Sequence, residues 1–142
     1  MTRVLVVANR TAATPRLLAA VGERAERGSA SFHLVVPATP RGLHRIVDPE
    51  DNGQDEAQAN LELALVLLSE AAGHEVQGHV GDADPLAAIH DAHHAQPYDE
   101  IIVSTLPSRL SRWVRLDLPS KARALGVPVL HVEAEAEVPA LA

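Results

Sequence analysis

The stretch that decides the fold is Val80–Ser104, "VGDADPLAAIHDAHHAQPYDEIIVS". It opens on a glycine–acid turn in which Asp84 precedes Pro85, a pair typical of a helix N-cap followed by the first helical residue. Apolar residues at helical spacing come next, and the stretch ends in "DEIIVS", a short and largely apolar run. Such runs are typical of strands buried on both faces of a parallel sheet. The stretch therefore predicts a turn, a helix and an interior strand.

The same alternation of strand and helix extends in both directions along the chain. Alternating elements favour one parallel sheet with right-handed crossovers and helices on both faces, a three-layer α/β sandwich. The third strand is the most polar, so we expect it at a sheet edge. We predict a single domain over residues 1–133 and a flexible tail over 134–142. The four further strands are predicted at Arg3–Ala8, Phe32–Ala38, 74–80 and Val127–Glu133, and the two best further helices at 15–27 and Asp55–Ala72.

The composition excludes several classes of function. The net charge is −7 with 12 Lys+Arg, so a general nucleic-acid footprint is not expected. The chain has no cysteine, and aromatic residues make up 2%, which argues against thiolate chemistry and flavin stacking. The longest apolar run, "LELALVLL", is too short to span a bilayer and contains Glu62. We expect a cytoplasmic protein without membrane contact.

Three segments together resemble the universal stress protein family. They are the opening stretch, "HLVVPA" after the first helix and "VPVLHV" near the end, and with the element order they extend the resemblance over most of the chain. The resemblance implies a Rossmann-like, HUP-type five-stranded sheet of order 3-2-1-4-5. It also implies a homodimer paired through the last strand, ATP binding in some members, and a role in stress physiology rather than a defined reaction.

The chain departs from the glycine motif that ATP-binding members of that family carry after strand four. Where the family has Gly-Ser-x-Gly, this chain has "STLP", from Ser104 to Pro107, and Asp117 stands where a second glycine is usual. Asn9 replaces the Asp that usually ends strand one. Glycine lets the backbone approach phosphates, proline has no N–H to donate, and Asp117 would repel a polyphosphate. We therefore predict that ATP binding is lost or altered, so a nucleotide (ATP or AMP) stays an open candidate ligand and no cofactor is assigned.

The segment after strand four also suggests an anion site. Arg109, Arg112 and Arg115 are spaced i, i+3 and i+6, which on a helix gives one basic stripe, and guanidinium groups suit phosphate or carboxylate. Ligands in such folds bind beyond the carboxyl ends of the strands. The alternative is a solvated arginine face whose Trp113 packs into the core or a partner. The other candidates for the anion site are Asn9, Arg10, Ser104, Thr105, Ser108 and Ser120, and those for a lid or cleft wall are Arg41, His44 and Arg45.

Other polar motifs favour structural roles. His90 and His94 are four residues apart on one helix, a spacing that can hold a metal, but no third ligand is evident and solvated histidines are expected. Asp82 is interpreted as a turn residue, Asp84 as a helix cap, and Thr14 as the cap of the first helix. No metal site and no catalytic residue are assigned.

The leading hypothesis is a non-enzymatic binding or regulatory dimer with a small anionic ligand. The first alternative is a small hydrolase or transferase acting on a phosphorylated or carboxylate substrate in the same cleft, with an arginine holding the anion and His44 as acid or base. No nucleophile–base pair is visible in the sequence, which ranks this alternative lower. The second alternative is a protein-interaction module that docks a partner on the face of Trp113.

Overall fold

Five parallel strands form one sheet in the order β3-β2-β1-β4-β5. The computed structural model describes residues 2–9, 11–38, 54–107 and 111–134. The order confirms the one implied by the family resemblance, and the polar third strand lies at an edge as expected. The strands are β1 (Thr2–Val7), β2 (Ala30–Pro37), β3 (Gln77–Gly81), β4 (Glu100–Thr105) and β5 (Val129–Glu133).

Helices cover both faces of this sheet. Helices α1 and α2 bury their apolar stripes against the face that carries Val4 and Val6, whereas α3 and α5 pack on the face that carries Leu5 and Val7. Successive side chains of a strand point to opposite faces, so a strand covered on both sides must be apolar throughout. The helices are α1 (Pro15–Glu26), α2 (Gln54–Ala72), α3 (Pro85–Ala95), α4 (Arg112–Arg115) and α5 (Leu118–Arg123).

Two strands begin later than the apolar pattern predicted. β3 begins at Gln77 because the preceding backbone is held elsewhere: the Val76 N–H donates to Ser69 Oγ at 2.9 Å. β5 begins at Val129, after Gly126 with φ +85° and Pro128, which has no N–H for a sheet ladder.

The chain beyond β5 is described only at Ala134. This residue is buried, and its N–H donates to the Thr105 carbonyl at 2.8 Å. Residues 135–142 lie outside the described ranges, so the flexible tail and the domain boundary stay predictions. Of the helices that the structure describes, none has both the length and the apolar character needed to cross a membrane.

The helix caps divide into one confirmed and one wrong prediction. Asp84 caps α3 as expected, since its Oδ1 accepts from the Leu86 N–H at 3.0 Å, and Asp82 accepts from the Asp84 N–H at 2.8 Å. Thr14 does precede α1, but its hydroxyl donates backward to the Thr11 carbonyl at 2.9 Å and makes no cap bond. The hydroxyl is therefore directed to the preceding turn and not to the first N–H groups of α1.

Candidate functional site

A cleft of about 710 Å³ opens at the carboxyl edge of the sheet, where the parallel strand order predicts ligand binding. Its walls come from the segments after β1, β3 and β4, the end of β2, and helices α4 and α5. The crossover connections converge there because every parallel strand ends at the same edge of the sheet.

A pair of buried hydroxyls forms part of the cleft wall. Thr11 Oγ1 lies 2.7 Å from Ser104 Oγ, and the two side chains are 3% and 1% exposed. One hydroxyl donates to the other, so the mutual bond uses one of their two protons. The second proton can be donated to an acceptor placed in the cleft. Ser104 was a predicted site residue, whereas Thr11 was not among the predicted site residues and its partner is 93 positions away along the chain.

The Asn9 side chain links three secondary-structure elements beside the cleft. Its Nδ2 donates to the Pro37 carbonyl at 3.2 Å, and its Oδ1 accepts from Asn60 Nδ2 at 3.2 Å. The amide thereby links the ends of β1 and β2 to helix α2, and it also lines the cleft. An asparagine can make both bonds because it carries a donor and an acceptor, whereas a carboxylate could only accept.

Thr105 lines the cleft, but its hydroxyl is engaged within the protein. Oγ1 donates to the Leu106 carbonyl at 2.9 Å and lies 2.8 Å from His131 Nε2 on the neighbouring strand. Because a hydroxyl has one proton, the imidazole N–H donates when Leu106 is the acceptor. The one hydroxyl proton is then engaged, so the predicted donation from Thr105 to an anion would require this network to rearrange.

The predicted arginine stripe does not lie on one helix. Ser111 is extended, with φ −88° and ψ 119°, and its Oγ accepts from the Val114 N–H at 3.2 Å, so α4 begins only at Arg112. The serine cap fixes this start, and the interpretation of residues 109–115 as one helical face is wrong. Arg112 is exposed and lines the cleft; Arg115 is exposed but is not among the described lining residues.

Trp113 joins the core and the cleft. Its side chain is half-buried and packs against the apolar cluster on the α3 face, and it also lines the cleft next to Arg112. The two sequence interpretations, an anion site or a tryptophan packed inward, therefore coexist on adjacent residues.

The link between α4 and α5 has an unusual backbone. Asp117 adopts the left-handed conformation, with φ 58° and ψ 40°, and its side chain makes no cap hydrogen bond to α5. A normal N-cap residue is extended, which aims its side chain at the helix amides. Ser120 is exposed and does not appear in the described wall of the cleft. Lys121 does line it, one helical turn beyond Leu118, a spacing from which the sequence could have indicated it.

The described charges in the cleft wall favour an anion. Arg112 and Lys121 are cationic, and Asp84, whose carboxylate already caps α3, is anionic. Two cations and one anion leave a net charge of +1 in a chain whose net charge is −7. A basic patch on an acidic protein concentrates small anions at that patch.

Six of the predicted residues lie outside the described ranges, and their roles stay predictions: Arg10, Arg41, His44, Arg45, Ser108 and Arg109.

The helix histidines are exposed as expected. His90 and His94 both face solvent, while His93 Nδ1 accepts from the Tyr98 N–H at 3.1 Å. Across the described residues, no three histidine or carboxylate side chains cluster as a metal site would require.

No family model matches the sequence, and neither does any curated protein. Solved structures do match the fold over nearly the whole chain. The universal stress protein from Archaeoglobus fulgidus has a TM-score of 0.67 at 18% identity, covering 93% of each chain. A universal stress protein family protein from Arabidopsis thaliana with AMP bound has a TM-score of 0.62 at 17% identity, covering 96% of this chain and 94% of that one. A universal stress protein in complex with cAMP has a TM-score of 0.63 at 16% identity, covering 94% and 98%. The chain thus has the fold of universal stress proteins.

Proposed function

We propose that this chain is a universal-stress-protein-like binding or regulatory protein without enzymatic activity, whose carboxyl-edge cleft takes a small anionic ligand. A cytoplasmic location and a role in stress physiology belong to the same proposal. The shared fold supports it, together with the AMP and cAMP present in two of the similar structures.

The observation that carries the proposal is the pair of cations in the cleft wall. Arg112 projects from α4 and Lys121 from α5, so two helices contribute positive charge to the same cleft. The hydroxyl pair of Thr11 and Ser104 adds one donatable proton. A ligand with one phosphate or carboxylate fits this arrangement, because the cations match its charge and the hydroxyl supplies a neutral donor.

The segment after β4 supports altered rather than typical ATP binding. Ser104 and Thr105 belong to the strand, and Pro107 follows without an N–H to offer. The Pro107 carbonyl accepts from the Ser111 N–H at 3.0 Å, so the backbone of this turn is bonded to itself. A triphosphate needs several free amides, whereas a single anionic group can be held by side chains.

Calorimetric titration with AMP, cAMP and ATP tests the proposal. We expect AMP or cAMP to bind more tightly than ATP, and Arg112→Gln and Lys121→Gln each to weaken that binding about tenfold, as loss of a charge-assisted hydrogen bond implies. Arg115→Gln is the matched control, because that arginine is exposed on the same short helix and is not among the described lining residues. Equal losses in all three variants, or micromolar ATP binding that survives both cleft substitutions, would contradict the assignment.

The proposal includes a homodimer through β5. This strand lies at the edge of the sheet, and Leu130 on it is 48% exposed. A regular edge strand with an exposed apolar side chain favours pairing with a second chain. Sedimentation analysis should show a dimer that Leu130→Lys dissociates; a wild-type monomer at every concentration would remove this part of the proposal.

A further inference from the structure

Two histidines meet on the sheet face that α3 covers, away from the cleft. His33 on β2 and His79 on β3 are diagonal neighbours, since His33 pairs with Gln77 and His79 with Val35. Nε2 of His33 lies 2.7 Å from Nδ1 of His79, and the ring centroids are 4.9 Å apart. Because β3 is an edge strand, His79 is exposed while His33 is half-buried. The pair is therefore both preformed and open to solvent.

Burial and nearby charge disfavour the protonated form of both rings. Burial lowers the pKa of His33, and the adjacent His79 and the Arg3 guanidinium lower it further. Although His79 is largely exposed, the partial burial of its ring also lowers its pKa. On the other side of His33 lies Tyr98, with centroids 6.4 Å apart; burial raises the pKa of its phenol, partly offset by Arg3. Each neutral imidazole keeps one nitrogen lone pair, and the two facing nitrogens share one proton between them.

We infer that His33 and His79 form a two-nitrogen site for a divalent transition-metal ion of the imidazole-preferring kind, such as Zn²⁺. Such ions bind histidine nitrogen at about 2.0–2.1 Å, so tetrahedral coordination requires the nitrogens to be roughly 3.3 Å apart. The observed 2.7 Å must therefore widen by about 0.6 Å, which the exposed His79 ring can supply by rotation. The metal takes the place of the shared proton, which moves to the far nitrogen of the same ring, so no net proton is released.

Two features lower the metal affinity expected of this site. Among the described residues no third histidine or carboxylate completes a cluster, so water fills the remaining positions. Arg3 adds positive charge near His33, as its effect on the pKa of that histidine shows. Its guanidinium lies over the Tyr98 ring, 5.0 Å from the centroid, and donates to the Gln96 side chain. Removing this charge should strengthen metal binding.

The competing pair is His90 and His94, one turn apart on α3. Both side chains are exposed, whereas the strand pair is already within hydrogen-bond distance. Metal binding by the helix pair must fix two exposed side chains, which costs conformational entropy that the hydrogen-bonded strand pair has already lost. The strand pair is the better chelator on this ground.

Titration with Zn²⁺ alone, followed by calorimetry in a non-chelating buffer at neutral pH, separates the two pairs. The reference protein carries His90→Gln and His94→Gln, which remove the helix pair. In that reference we expect one Zn²⁺ per chain, and His33→Gln or His79→Gln should weaken its binding at least tenfold. His74→Gln is the matched control, because His74 is another exposed histidine and its ring bonds the Ala30 carbonyl at 2.9 Å.

Further measurements test the same metal site. Arg3→Gln should tighten Zn²⁺ binding, which a structural role alone would not produce, and the imidazole NMR signals of His33 and His79 should shift together. Circular dichroism verifies that the His79 variant is folded. The inference is overturned if the reference protein does not bind Zn²⁺, which would show that binding in the wild type depends on His90 and His94. It is also overturned if His74→Gln weakens Zn²⁺ binding as much as His33→Gln or His79→Gln does.

Discussion

Substituting alanine for Gly78 tests how β3 is held against α2. Gly78 lies in the middle of β3 and pairs with Leu34. A Cβ added there would lie 2.5 Å from the Leu34 carbonyl oxygen and 2.8 Å from Leu61 Cδ1. The leucine side chain can rotate away, but the carbonyl oxygen can move only if the backbone of β2 moves with it. The clash is therefore with a rigid group.

The expected cost is that of overpacking against backbone, about 2–3 kcal/mol. For a chain of this size each kcal/mol corresponds to about 3–4 °C in Tm, so Gly78→Ala should lower Tm by roughly 6–12 °C. The matched control is Gly22→Ala on α1, where the nearest atom to an added Cβ is the Ala71 carbonyl oxygen at 3.5 Å. That distance is ordinary contact, and alanine is the better helix former by roughly 0.5–1 kcal/mol.

Thermal unfolding followed by circular dichroism, with urea unfolding at fixed temperature, measures both variants. We expect opposite signs: Gly78→Ala destabilised and Gly22→Ala unchanged or stabilised. A Gly78→Ala variant that unfolds at the wild-type temperature would show that β2 and β3 adjust freely, and the close-approach argument would fail. Equal destabilisation of both variants would point to a general cost of losing glycine and would refute the reasoning equally.

Two further predictions concern charge and backbone conformation. The pKa values of His33 and His79 are lowered in the folded state, so the unfolded chain binds more protons than the folded chain. The free energy of unfolding should therefore be largest above the ordinary histidine pKa of about 6.5. It should fall as the pH drops below that value and through the lowered pKa values of the folded state. Urea unfolding at pH 8 and pH 5 measures this loss, which should be smaller in His33→Gln, and a variant with the wild-type pH profile would contradict it. Because Asp117 is left-handed without a cap bond, Asp117→Gly should unfold at the wild-type urea concentration or above it, whereas Asp117→Val should cost about 1–2 kcal/mol. Equal urea midpoints for these two variants would show that the left-handed conformation carries no strain.

The strands and the edge position of β3 were predictable because they depend on period and polarity, whereas the full strand order was implied by the family resemblance. Buried runs such as "DEIIVS" have few alternatives, and a polar strand such as β3 is stable only at an edge. Asp84 was predictable for a related reason, since an acid before a proline makes its cap bond within two residues. The local sequence pattern is sufficient to predict a structure where the hydrogen-bond partner is near in sequence, as for Asp84, or where a whole segment is buried, as for the interior strands.

The candidate site was less predictable because its contacts span the chain. The bond between Thr11 and Ser104 and the one between His33 and His79 depend on sheet register, which the sequence does not state. The arginine spacing fits a continuous helix, and only the extended backbone at Ser111 excludes it. The sheet register therefore determines these two contacts, and the Ser111 cap determines where α4 begins; residue spacing alone predicts neither.

The left-handed turn at Asp117 has a consequence for protein engineering. Its φ of 58° is one that glycine adopts without strain, and the family resemblance places a glycine at this position. The main chain at residue 117 therefore has a shape suited to glycine although the residue is an aspartate. Exchanging this one side chain for hydrogen would remove a carboxylate between α4 and α5 without a change in the path of the chain.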